Sequence, residues 1–136
     1  MKSIPLAVLA AALLASACND PVPPATPSPV PPTVTDTFTG TLTVLGTNSH
    51  PFVVNEVGGV KVTLTSVDPK AKLSIAVGTP STTTGLCIAI NSVTTDPGPQ
   101  PQLAGTASVK GPFCLAVSDV GNITESTSYT VTVLHS

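Results

Sequence analysis

The residues of this chain whose types and spacing could do chemistry are three cysteines and one acidic turn. Cys18 directly follows Ala15-Ser16-Ala17, at the end of an apolar run from Ile4 to Leu14. Cys87 and Cys114 lie far along the chain, each between two apolar neighbours. A thiol in such a sequence can carry a lipid, close a bridge or hold a metal. The loop Asp119-Val120-Gly121-Asn122-Ile123-Thr124-Glu125 offers oxygen atoms at Asp119, Asn122 and Glu125, a weak candidate set for calcium, which takes six to eight hard oxygens. The preferred reading of that loop is a turn, with Asp119 bonding its own backbone and Gly121 or Asn122 at positive φ.

The segment before Cys18 reads as a secretory leader. Lys2 supplies the positive start, Ile4 to Leu14 the apolar stretch, and Ala15 and Ala17 the small side chains that a signal peptidase accepts. Asn19, Asp20 and Pro21 end the run well short of the ~20 apolar residues that span a bilayer. Leu14-Ala15-Ser16-Ala17-Cys18 resembles the lipobox of bacterial lipoproteins, with Ala15 where that family usually carries Leu. The resemblance implies a diacylglycerol on the Cys18 sulfur and cleavage before it. Residues 1–17 are thus expected to be a signal peptide, and residues 18–35 a lipidated cysteine and tether. Ordinary cleavage after Ala17 is the alternative, and would leave Cys18 as an odd, exposed thiol. Asn19 is not the aspartate of the best-known inner-membrane retention signal, so the outer membrane and the outer face of the plasma membrane both stay open.

Composition narrows the partners. The chain has no Arg and no Trp, and only 9% of its residues are charged. Without the leader, four lysines face seven acids, a net charge of about −3. Nucleic acid is excluded as a partner, because phosphate binding needs clustered Lys or Arg. Pro21 to Thr35 carries proline at nearly every second position and is expected to stay extended, reaching roughly 45 to 50 Å.

Beyond that tether the hydrophobic period becomes two, and residues 36–136 read as one domain. Strands are expected at Phe38–Val44, around Phe52 and Val54, at Val60–Thr65 after a Gly58-Gly59 turn, and at Leu73–Val77 ahead of Gly78-Thr79-Pro80. Further strands are expected at Leu86–Ile90, Leu103–Val109, Phe113–Val117 and Tyr129–Val133. About eight short strands and no helical stripe predict an all-β fold, a single antiparallel sandwich of jelly-roll or Ig-like type. Cys87 should face away from Leu86 and Ile88, and Cys114 away from Phe113 and Leu115, placing both sulfurs on matching outer faces or at an edge. Two thiols without histidine partners cannot complete a zinc tetrahedron, so a Cys87–Cys114 disulfide in an exported protein is expected.

The span from about Thr37 to His135 resembles the bacterial pre-peptidase C-terminal domain family. The pieces that carry the resemblance are Phe52, Gly59 to Leu64, Leu73 to Val77, Gly111 to Val117, Asp119 to Asn122 and Tyr129 to Val133. The resemblance implies a non-catalytic accessory sandwich that assists secretion or targeting or binds a matrix polymer. Lys70-Ala71-Lys72 stands where many members carry an Asp-x-Asp pair, which argues against calcium carried over from those relatives.

Catalysis is not expected. His50 and His135 are the two histidines, and each reads as a solvated loop or terminal group; the carboxylates are scattered among turns. Phe38, Phe52, Phe113 and Tyr129 all fall on core-facing positions, leaving no aromatic platform for sugar or collagen. The function expected is a non-enzymatic lipoprotein displaying a structural or protein-interaction domain at the cell envelope, without cofactor beyond its lipid. The alternative is a polymer-binding accessory module for an exported hydrolase. The expected partners are the membrane, through the lipid, and an envelope protein or an extracellular polymer.

Overall fold

The structure is a computed structural model that describes residues 21–136; Cys18 and the expected leader lie outside the described residues. Pro21 to Thr33 has no regular secondary structure and is almost entirely exposed. A run that alternates proline with small residues lacks the backbone donors and apolar bulk that a packed element needs.

Eight strands follow: β1 (Val34–Leu42), β2 (Thr47–Val54), β3 (Gly58–Asp68), β4 (Leu73–Pro80), β5 (Cys87–Thr95), β6 (Leu103–Ala107), β7 (Gly111–Ser118) and β8 (Thr127–His135). They form two four-stranded antiparallel sheets, ordered β1-β8-β3-β6 and β2-β7-β4-β5. The ladders β1·β8, β2·β7, β3·β6 and β4·β5 are nested, as if one long hairpin closing at β4 and β5 had been rolled into two layers. That nesting is the jelly-roll arrangement and not the immunoglobulin one.

Alternation supplies the core. Val60, Val62 and Leu64 of β3 face Ile75, Leu115 and Val117 of the other sheet, with Val131 and Val133 of β8 beside them, all buried. Strand limits differ from expectation where glycine or a turn intervenes. β1 begins at Val34, ahead of the expected Phe38, because Val34 and Thr35 already pair with His135 and Leu134. β1 stops at Leu42, since the chain turns at Val44 and Leu45, with Leu45 at a φ of 57° and Gly46 N–H donating to Thr43 O at 2.8 Å. Gly58 and Gly59 are paired inside β3, opposite Ala107 and Thr106, and the turn precedes them. β6 ends at Ala107, short of Val109.

Gly78 belongs to β4 and not to the turn after it. β5 passes so close that a Cβ there would overlap the Ile88 carbonyl and lie 2.9 Å from Ala89 Cα. Only glycine admits a second backbone at that range. The approach coincides with a break in the β4·β5 register between Val77 and Gly78, where Ile90 is the extra residue.

Candidate functional site

Cys87 and Cys114 are disulfide-bonded, with their Cα atoms 5.7 Å apart. The bridge joins β5 to β7 across the intervening β4, and the close passage over Gly78 is what brings the two strands within reach. Both cysteines lie on the outer side of their strands, as alternation implies. The rest of the expectation needs correcting, because Cys114 is only 2% exposed on an interior strand, whereas Leu86 and Ile88 are 65% and 57% exposed. Alternation tells which side of a strand a residue occupies, but not what covers that side.

The two histidines also need correcting: neither is a solvated loop group. His50 lies in β2 and alternates with Asn48, Phe52 and Val54, which puts it on the inner face and half-buried. His135 alternates with Val133, Val131 and Tyr129 at the end of β8 and is 2% exposed. The period-two pattern that located the core valines therefore pointed to both, had it been extended to polar residues.

These histidines knit the edges β1 and β2 together. Asn48 Nδ2 donates to Thr41 O at 3.0 Å and to the Tyr129 hydroxyl at 2.9 Å, while His50 Nε2 lies 2.6 Å from that hydroxyl. Since the phenol oxygen accepts from Asn48, its own proton is assigned to His50 Nε2, which requires a neutral imidazole with Nε2 as acceptor. Burial lowers the His50 pKa below 6.5 and agrees with that assignment. Burial likewise raises the Tyr129 pKa above 10.0, against the opposing pull of the Asn48 hydrogen bond. The Phe38 ring stacks on His50 at 4.9 Å, and Gly40 leaves the room that the Tyr129 ring fills.

A second pair lies further along the same seam. His135 Nε2 is 2.9 Å from Asp36 Oδ2, and its Nδ1 is 3.3 Å from the main-chain oxygen of Ser136, which in turn accepts from Asn55 and Glu56 N–H. The Phe52 ring packs on the imidazole at 5.2 Å. Both nitrogens of His135 and Nε2 of His50 are thus engaged by groups of the domain itself.

The Asp119 loop is built around its carboxylate. Oδ2 accepts from Leu45 N–H at 2.8 Å, and Oδ1 from Gly121, Asn122 and Ile123 N–H at 3.0, 2.7 and 3.2 Å. The Leu45 bond first, then those from the loop, hold its pKa below the ordinary carboxylate value. Asp119 thereby joins the two turns at one end of the sandwich. Asn122 and Glu125 line a shallow recess with Pro69, Lys70 and Thr127 instead of converging with Asp119. Among the described residues, no group of three or more His, Cys, Asp or Glu is placed to hold a metal ion.

The loops that could have carried a ligand surface are internally bonded. Ser81 Oγ accepts from Thr83 and Thr84 N–H, and Ser81 N–H donates to Leu86 O. After Asp96, Gln102 extends the β3 edge by accepting from Leu64 N–H and donating to Leu64 O.

The last feature is apolar. Between the edge strands β5 and β6 lies a cleft of about 90 Å³, walled by Val62, Val77, Ile90, Leu103, Ala107 and Phe113. No sequence signal marked it, because it arises where two consecutive strands go to the edges of different sheets and fail to meet.

No family model matches this sequence, and no curated protein matches it. Among solved structures, the chain is similar to the Aeromonas hydrophila protein PliG, a periplasmic lysozyme inhibitor of g-type lysozyme. The identity is 15%, the TM-score 0.51, and the match covers 73% of this chain and 85% of that one. The Yersinia pseudotuberculosis-derived mitogen is similar at 12% identity and a TM-score of 0.49, over 76% of this chain and 86% of that one. At these identities the likeness to PliG is one of fold.

Proposed function

We propose that this chain is an exported, lipid-anchored envelope protein that displays a non-catalytic jelly-roll domain for interaction with another protein. The observation that carries the reading is the order along the chain: an apolar run from Ile4 to Leu14 with Cys18 directly after Ala15-Ser16-Ala17, an exposed proline-rich segment, and a domain closed by the Cys87–Cys114 bridge. Disulfides persist in oxidising compartments outside the cytosol, which supports export. Pairing Cys87 with Cys114 leaves Cys18 as the odd sulfur that a lipid would consume. Engagement of both histidines in structural contacts supports a role without catalysis. The resemblance to the pre-peptidase C-terminal family supports the same kind of accessory role, and PliG is a protein of this fold whose target is another protein.

Mass spectrometry of the purified protein tests the anchor, the expected result being a chain that starts at Cys18 and carries acyl mass there. Cys18→Ala should move the domain from the membrane to the soluble fraction or block maturation. Unchanged membrane partition of that variant would refute the anchor.

A further inference from the structure

The middle of the seam between the sheet edges β1 and β2 is closed by side chains. β1 pairs with β8 in one sheet, β2 pairs with β7 in the other, and no backbone ladder joins β1 to β2. Asn48 Nδ2 reaches Thr41 O and the Tyr129 hydroxyl, and His50 Nε2 meets that hydroxyl at 2.6 Å beneath the Phe38 ring. Each end of the seam is fastened separately. At one end the turn from Thr43 to Gly46 links the two strands and is held by the Asp119 carboxylate through Leu45 N–H. At the other, Asn55 and Glu56 N–H donate to Ser136 O, and His135 Nε2 lies 2.9 Å from Asp36 Oδ2. The middle can therefore part without the loss of any strand pairing.

The two histidines of this seam respond to a proton in opposite ways. A proton on His135 sets a cation against the Asp36 carboxylate, and that contact holds. A proton on His50 lands on Nε2, the atom that now accepts from the phenol, so that two donors face each other and the phenol proton loses its acceptor. No carboxylate is placed to pair with the cation. β2 and β7 hold no Asp, Glu, Lys or Arg, β8 presents the Tyr129 hydroxyl, and Asp36, the one acid of β1, is spent on His135 at the end of β8. Among the described residues, no ion pair includes His50. The Phe38 face attracts a cation, but a half-buried charge without a carboxylate costs more than that contact returns.

We propose that His50 is an acid-released latch: its protonation parts the middle of the β1/β2 seam and turns Tyr129 and Phe38 toward solvent while both sheets stay paired. The latch depends neither on the lipid anchor nor on a protein partner. Its direction follows from burial. Burial lowers the His50 pKa in the closed seam, and parting removes that burial, so the open seam takes up its proton near the ordinary 6.5 and the closed seam at a lower pH. The open fraction therefore grows as pH falls below 6.5, by up to about tenfold per pH unit until the closed-state value is passed. Tyr129 is 2% exposed in the closed seam. Aromatic rings are strong contact groups once exposed, so the parted seam gives the domain in mild acid a face that it buries at neutral pH.

Tyr129 reports on the latch directly, since the chain has one Tyr and no Trp. Acrylamide quenching of tyrosine fluorescence in the purified full chain should rise at least about twofold between about pH 7.5 and about pH 5, a window above the titration of ordinary carboxylates. The rise should share its midpoint with the His50 ring protons followed by NMR, while amide protection in β3, β4 and β7 is unchanged. His50→Gln, whose side-chain oxygen can still accept the phenol proton, should abolish the rise. Quenching that stays flat while the His50 ring titrates would overturn the latch, as would a rise accompanied by lost protection across both sheets, which is unfolding. So would a rise that persists in His50→Gln, or one that Asp36→Asn removes, which would assign the change to His135. If His50→Gln does not fold, the wild type decides alone, because a quenching midpoint apart from that of the His50 ring sinks the latch. Cys18→Ala should leave the pH response as it is, so the latch and the anchor can fail separately.

Discussion

His50 is an imidazole kept neutral by its position. Asn48 donates to the Tyr129 hydroxyl, the phenol proton is assigned to His50 Nε2, and Phe38 covers the ring face. A histidine whose folded pKa lies below 6.5 binds a proton more readily in the unfolded chain, so its contribution to stability is complete above pH 6.5. That contribution is lost as pH falls from 6.5 through the lower folded value. Urea denaturation at a series of pH values should show the wild type losing stability below pH 6.5, and His50→Gln losing less over the same interval. Equal slopes would show that His50 does not titrate in that window. The residue was legible as inward-facing from its alternation with Phe52 and Val54. Its partner was not, because Tyr129 lies 79 residues away and reaches it through a ladder order that no local pattern encodes.

At the level of the strand, β5 departs furthest from an ideal element. It bulges at Ile90, crosses Gly78 at a distance that excludes a side chain, and is tied by Cys87 to β7 beyond its own neighbour. The disulfide closes a loop across a sequence separation of 27. Replacing both cysteines by alanine should therefore lower unfolding free energy by roughly 3 to 4 kcal/mol on the chain-entropy model. Hydrogen exchange should show the added opening concentrated in β5, since its one backbone ladder is to β4; protection lost evenly over both sheets would contradict that. Cysteine parity foretold the bridge, but Leu86 and Ile88 were expected to be covered and are not. Period-two reading assumes that a strand is covered along its whole inner face, and an edge strand that overhangs its layer breaks the assumption.

For the whole molecule, eight strands in a sandwich were legible because alternation and turn residues recur along the domain. The choice between jelly roll and immunoglobulin order was not, because it depends on which strands pair. The nested ladders join Val34 to His135 and Thr47 to Ser118, so most of the chain must be gathered before the outer pairs form. Topologies dominated by such contacts fold in about milliseconds to seconds, and stopped-flow refolding with the disulfide intact should fall in that range; a microsecond phase carrying the full amplitude would contradict the nested order. The same order decides how the domain meets mechanical force. The segment before Val34 enters at the first residue of an edge strand, so a pull along it arrives first at the Val34·His135 pair and the adjoining Asp36–His135 contact. Tension arriving along the proline-rich segment is thus resisted where the buried imidazole clamps β1 to β8, and the cleft between β5 and β6 lies at the opposite edge of both sheets, out of the line of strain.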